Sequence, residues 1–483
     1  MKNAWRSLLT LYSIFRASTL FVYMLQSVAY EPVAYLRWFW RTQDFGRVMY
    51  RRELDPTKAA RILRHFTVLI MAAQVIVGLL TIYLSLQGYV IGGVFFGLAV
   101  LISYPVVGAH VLALLVAGGQ LVFIRSREGR QAAAASKIFA AHPGLRIAIA
   151  GSYGKTSMKE LLYTVLKEGK NVAATPANMN VLSSHARFAR TLDGDEDVVL
   201  VEFGEGKPGD VRLFSAVVQP THAVITGLAP AHLDRYKTLA AAGRDIFSVA
   251  RLVPAEQVYV NADSESVRPF LQKGFRIYSR STVLGWRIQH AKTSLKGTSF
   301  ELIKGKKRLS LRSGLLGLHQ IGPLAFAAAF GLEIGLTQAQ VTAGVARTKP
   351  FEHRMQPYRL GGAWVIDDTY NGNLEGIRAG TEMLAHLEAK RKVYVTPGLV
   401  DQGRETAAIH TEVGKLIARA APDVVVLMQN SVAGHIQTGL IESGYAGEIT
   451  VEEDPLEFYT NLDSFVAAGD VVLMQNDWTD NYS

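Results

Sequence analysis

Residues 146–160 read RIAIAGSYGKTSMKE: an apolar run that breaks at glycine and ends in Gly-Lys-Thr before a helix-like stretch. A strand, a glycine turn and a helix start, in that order, form the context in which backbone N–H groups grip a phosphate. Gly151 and Gly154 would let the backbone close around phosphate oxygens, with Ser152 and Tyr153 between them and Ser157 just beyond. Lys155 would neutralise β- and γ-phosphates, and the Thr156 hydroxyl would ligate Mg²⁺. The longer form of such a loop has a glycine five residues before Gly154, where this chain has Ile149. A shorter kind of loop, a degraded copy and a chance match all remain open at this point.

The pattern downstream is that of an α/β protein. DVVLVEFG (197–204), THAVITGL (221–228), QVYVNAD (257–263), AWVIDDTYN (363–371), KVYVTPGL (392–399), VVVLMQN (424–430) and GDVVLMQN (469–476) read as buried strands separated by helix-length segments. That alternation predicts parallel sheets with crossover helices. Ligands collect at the carboxyl ends of such strands. Glu202 ends one of them as a candidate hard oxygen ligand for Mg²⁺. His232 follows the next strand.

Upstream the chain is different. Residues 66–124 contain no Asp, Glu, Lys or Arg. A membrane crossing takes about 20 apolar residues, so this run predicts a helical hairpin with a break at Gln87-Gly88, a first span near 66–86 and a long or bent second helix interrupted near Pro105 and Gly108. Of the net charge of +10, residues 1–65 supply 11 Lys/Arg against 4 Asp/Glu, and residues 125–137 supply 4 against 1; residues 138–483 balance at 36 each. Basic segments on both sides of the run place both flanks on the cytoplasmic side and do not suit a nucleic-acid-binding domain. Residues 7–30 are also apolar and either span or lie in the interface as an amphipathic helix. With no cysteine, disulfides, thiolate catalysis and Cys-ligated zinc are excluded. The expected divisions are a basic membrane-proximal region (1–65), a transmembrane hairpin (66–124), a cytoplasmic linker (125–144), a central P-loop ATPase-type domain (145–350) and a Rossmann-like C-terminal α/β domain (351–483).

GSYGKTS (151–157), VEFGEGKPGD (201–210), GLAPAHLDRY (227–236), GLLGLHQIGPLAFAAA (314–329), FEHRMQPY (351–358) and IDDTYNGN (366–373) occur in an order and at spacings that resemble the Mur ligase superfamily. Its members use a short GxxGK[ST] loop, so Ile149 is no anomaly. DDTYNGN is similar to the DDxYNxNP signature of the branch that adds D-alanyl-D-alanine (D-Ala-D-Ala) to a muramoyl-tripeptide. The resemblance implies an ATP-dependent carboxylate–amine ligase of peptidoglycan precursor synthesis that works through an acyl phosphate with Mg²⁺. It implies Lys155 on the phosphates, Thr156, Glu202 and His232 on metal, and Gln320 where the family has an adenine-contacting asparagine. Arg354 would reach ATP from the C-terminal domain, faced by Asp367, Asp368, Tyr370 and Asn371. Asn178, Asn180, Tyr370 and Asn373 fall on the substrate side. His319 and His410 read as structural, and the KGKKR turn (304–308) as solvated.

The match also departs from the pattern. The metal-holding carbamylated lysine common in the superfamily has no counterpart in TLAAAGRDIF (238–247), the family's NNxxGvP reads NVLSSHA (180–186), and the apolar run stands where a uridine-nucleotide-binding domain is usual. The expectation is a ligase held at the inner face of the cytoplasmic membrane, near other wall-synthesis enzymes. The alternatives are a Mur-type ligase with another, lipid-linked substrate and a non-catalytic nucleotide-binding scaffold.

Overall fold

The structure is a computed structural model that describes residues 2–28, 30–42, 44–46, 57–121, 125–177, 179–230, 233–370, 372–400 and 402–476. The chain divides into two compact units, 1–130 and 131–483.

In the first unit, helices Lys58–Leu86 and Gly93–Gly119 are long and apolar enough to cross a membrane. At 1.5 Å per residue each exceeds the roughly 30 Å hydrocarbon core. The two pack through glycines: a Cβ on Gly97 would lie 2.6 Å from the Gly78 carbonyl oxygen, and one on Gly108 would lie 2.8 Å from Met71. Small residues at such contacts let backbones approach where lipid offers no hydrophobic drive. Their outer sides expose Ile76, Leu80, Phe95, Ile102 and Leu114. The expected hairpin is present, with two differences. The first helix starts at Lys58, because Thr57 caps its amino end by accepting from Ala60 N at 3.1 Å. The second runs unbroken through Pro105. The apolar stretch 7–30 is not one element: Trp5–Leu11 and Ile14–Ser27 meet at 85°.

The stretch 125–144, expected as a linker, is mostly the helix Arg125–Ala141. Its second half buries Ala135 and Phe139 in the core of the second unit.

A ten-stranded sheet organises the first part of that unit. Its parallel strands lie in the order Val172–Ala174, Val198–Glu202, Leu145–Ala150, His222–Ile225, Val258–Asn261, Arg276–Tyr278. Side chains alternate between faces, so Ile147 and Ile149 enter one apolar core while Ala148 and Ala150 enter the other. Burial on both faces is why these strands read as continuous apolar runs. Strand Leu145–Ala150 lies between Val198–Glu202 and His222–Ile225, so the chain order reverses at its carboxyl end, where an open α/β sheet forms its ligand crevice.

The second sheet has the order Gln356–Leu360, Ala363–Asp368, Asp470–Gln475, Arg391–Thr396, Val424–Met428, Glu448–Glu452, with the first strand antiparallel and the rest parallel. Arg280 spans the two sheet domains, its guanidinium donating to both carboxylate oxygens of Glu382 at 2.7 and 2.9 Å.

Candidate active site

The loop needs its glycines for two reasons, crowding at Gly151 and a left-handed backbone at Gly154. Gly151 has φ 146° and Gly154 φ 71°, and a Cβ on Gly151 would lie 2.2 Å from Thr226 Oγ1. That hydroxyl donates to the Tyr153 carbonyl, and Ser152 N donates to Gly227 O at 2.9 Å, so the end of the adjacent strand clamps the loop. Helix Lys155–Leu166 then starts with its free N–H groups at the crevice. Lys155 Nζ folds back to the Gly151 carbonyl at 2.6 Å and pairs with Glu205 Oε2 at 2.6 Å. Phosphate oxygens in the loop would replace those anionic and carbonyl partners.

Glu202 ends its strand in the same place. The Thr156 hydroxyl donates to Glu202 Oε1 at 3.1 Å, and Asn180 Nδ2 donates to it at 3.3 Å. Glu202 is only 2 % exposed, and its Oε2 accepts no hydrogen bond. An ammonium, Lys159 Nζ, lies 3.3 Å from that oxygen, too poorly aligned to count as a donor but close enough to offset its charge. The Glu202 backbone is pinned at both ends: its N–H donates to Thr175 Oγ1, and its carbonyl accepts from His185 Nε2 at 2.8 Å. Burial holds His185 down to about 4, so it is neutral and a fixed donor. A hydroxyl and a buried carboxylate with a spare oxygen are hard donors that suit Mg²⁺.

Lys159 went unread in the sequence, although it lies one turn beyond Lys155 on the same helix face. It is fully buried and also donates to the Ala177 carbonyl at 2.5 Å. Ala177 has φ 32°, a left-handed conformation that alanine rarely adopts. The ammonium thus ties the loop that leads to Asn180 to the Glu202 carboxylate.

From the C-terminal domain, Arg354 sets its guanidinium 4.6 Å from the Tyr370 ring centroid. Both line a cavity of about 390 Å³ with Lys155, Thr156, Asn180 and Glu202. A second cavity of about 200 Å³ adjoins it across Tyr153, Gly154 and Arg354, and is lined by Ser157, Asn261, Asp263, Arg280, His319 and Gln320. Met158, Leu315, Pro323 and Phe351 complete the wall, so apolar surface and polar groups meet in one space beside the glycine loop. His319, read as structural, is part of that lining, and Gln320 Nε2 contacts its Nε2 at 2.9 Å. Burial holds His319 down to about 4. His410 is structural as expected: Leu399 N donates to its Nε2 at 2.9 Å, and its Nδ1 faces the Thr406 carbonyl at 2.6 Å.

The two adjacent aspartates divide. Asp367, expected at ATP, is held by its own neighbours: His353 Nδ1 at 2.7 Å, Thr369 Oγ1 at 2.7 Å and Thr369 N at 3.1 Å. It lines neither cavity, so its position supports the loop around Arg354 rather than a direct nucleotide contact. Asp368 does face the smaller cavity. It accepts from Gln475 Nε2 at 2.7 Å and Met355 N at 3.2 Å. Asn373 lines both cavities, but its Oδ1 caps helix Leu374–His386 by accepting from Gly376 N at 2.9 Å. Asn178, His232 and Asn371 lie outside the described residues.

Burial pushes the Asp368 carboxyl from 3.8 up to about 7, against the pull of its two donors and of nearby Arg354. The folded chain therefore keeps a proton that the unfolded chain loses, and the stability this contributes is fully present below pH 3.8 and lost as pH rises through about 7. Hydrogen exchange of strand Ala363–Asp368 is expected to accelerate between pH 5 and 8, after correction for intrinsic rates, by a local destabilisation on the order of 2 kcal/mol. Asp368→Asn is expected to flatten that profile.

Comparison with known proteins agrees with this geometry. Residues 149–331 match the Mur ligase middle domain, and residues 353–475 match the Mur ligase, glutamate ligase domain. The chain is 27 % identical over 392 residues to the UDP-N-acetylmuramoyl-tripeptide–D-alanyl-D-alanine ligase of Mycobacterium bovis, covering 78 % of this chain and 71 % of that one. Among solved structures it resembles MurF of Acinetobacter baumannii (TM-score 0.63, 19 % identity, 73 % of this chain and 78 % of that one). It resembles equally the Thermotoga maritima MurF ligase in complex with ADP (TM-score 0.63, 21 % identity, 72 % and 80 %).

Proposed function

The chain belongs to the Mur ligase family, and we propose that it joins D-Ala-D-Ala to a muramoyl-tripeptide with ATP, as a ligase anchored at the inner face of the cytoplasmic membrane. The observation that carries this reading is the larger cavity, where Lys155, Thr156 and Glu202 of one domain and Arg354 of the other line a single space. The relatives named for this reaction support the substrate pair, and the two long apolar helices support the anchor.

The reaction moves the γ-phosphoryl group of ATP to an oxygen of the peptide carboxylate. The amine of D-Ala-D-Ala then attacks the acyl carbon, phosphate leaves with that oxygen, and the amine loses a proton. Lys155 neutralises the phosphates once it leaves Glu205. Thr156 Oγ1 and Glu202 would hold Mg²⁺, which when bound supplies positive charge to the phosphoryl oxygens. Arg354 brings a second fixed cation from the opposite domain, stacked on Tyr370 and so oriented before substrate arrives. Asn180, bonded to Glu202, places an amide at the peptide side of the same carboxylate.

Arg354→Ala is expected to lower kcat about a hundredfold with a small change in ATP affinity, because its charge acts on the group in transfer. Single-turnover kinetics beside nucleotide-binding titrations check this split. The functional assignment itself is tested by ADP release with muramoyl-tripeptide as donor and D-Ala-D-Ala against other amines as acceptors. Release that needs both the donor and D-Ala-D-Ala is the expected result. Tight ATP binding without release for any amine contradicts it and favours the scaffold reading.

A further inference from the structure

Strands Trp286–Ser294, Gly297–Lys304 and Lys307–Ser313 form one end of the large sheet, with Lys307–Ser313 as its edge. Their inner face sends Trp286, Phe300, Leu302, Leu309 and Leu311 into the core. Register places Arg308, Ile303 and Arg287 in one row of the outer face, and Arg312, Ser299 and Lys292 in another. All four cations are exposed, at the corners of a patch whose one acidic residue is Glu301, 3.5 Å from Arg308. The turns add exposed Lys296 and Lys306, and the edge strand adds exposed Lys307.

This charge is segregated, not scattered. Residues 286–313 hold 8 Lys/Arg and 1 Asp/Glu; the rest of 138–483 therefore holds 28 and 35. Protection of an open sheet edge explains lysines on the last strand, but Arg287 and Lys292 lie two strands inside it. We propose that this outer face docks on anionic phospholipid headgroups, which rests on the reading that the apolar helices anchor the chain in a membrane. Headgroups with net negative charge complement an array of cations on one sheet face, each worth about fivefold in surface affinity. Single-stranded nucleic acid is the poorer fit, because it uses aromatic platforms for its bases and here Trp286 and Phe300 both point inward.

The test uses the full chain in nanodiscs of phosphatidylcholine alone or mixed with phosphatidylglycerol, with trypsin cleavage at the 304–308 turn as readout. Protection is expected only in the anionic discs, is expected to vanish in high salt, and is expected to be lost in the double variant Arg308→Glu, Arg312→Glu while ATP binding persists. Equal cleavage in both lipids, by a chain that both retain, overturns the proposal and leaves the anchor standing. Failure of neutral discs to retain the chain overturns the anchor and the proposal with it. Protection by added RNA but not by anionic lipid assigns the face to nucleic acid and also overturns it.

Discussion

Glu202→Gln is expected to lower ligation to roughly a thousandth of the parent rate and also to destabilise the sheet, and the two effects should come apart in a second variant. The carboxylate accepts from Thr156 and Asn180 and lies 3.3 Å from the buried ammonium of Lys159. An amide keeps the shape but leaves that ammonium without its main countercharge. Removing one partner of a buried pair costs about 3–5 kcal/mol, whereas replacing both with apolar groups is often neutral. Glu202→Leu with Lys159→Met is therefore expected to be much less destabilised than Glu202→Gln and equally inactive. Hydrogen exchange of strand Val198–Glu202 together with ADP release reads both quantities. If the double variant is as unstable as the single one, the pairing of Lys159 with Glu202 is not what holds this corner.

Lys155→Met is expected to lower kcat/KM for ATP by roughly a thousandfold. In contrast to Glu202→Gln it should leave the fold intact. Lys155 and its partner Glu205 both line the cavity, so methionine leaves a carboxylate at the cavity wall and not in the packed core. Steady-state kinetics with an unfolding measurement at the same pH separate these outcomes. A loss of stability comparable to that in Glu202→Gln would mean the lysine is chiefly structural.

The fold was largely legible because its signals are local. The phosphate loop needs glycine at 151 and 154, and the buried strands on either side of it admit little but aliphatic residues. The pair of helices long and apolar enough to cross a membrane follows from the absence of charge in 66–124. The division of labour inside the site was less legible, because it depends on contacts distant in sequence. Lys159 looks like any lysine on a helix until strand Val198–Glu202 is laid beside it. Asp367 and Asp368 are chemically alike and adjacent; strand alternation sends one to His353 and the other to Gln475, and only the second reaches a cavity. His319 reads as structural in the sequence, yet its ring helps wall the smaller cavity. The helix Arg125–Ala141 reads as a linker because its first half is basic, while Ala135 and Phe139 commit its second half to the core.

The central claim is that one cavity activates a carboxylate by phosphorylating it. Labelling the donor peptide's terminal carboxylate with ¹⁸O and analysing the phosphate released during D-Ala-D-Ala ligation tests that claim at the atom that moves. Phosphate carrying ¹⁸O from the carboxylate is the predicted result, because the oxygen that accepts the phosphoryl group leaves with it. Unlabelled phosphate would show that ATP is cleaved by water, and would contradict the account.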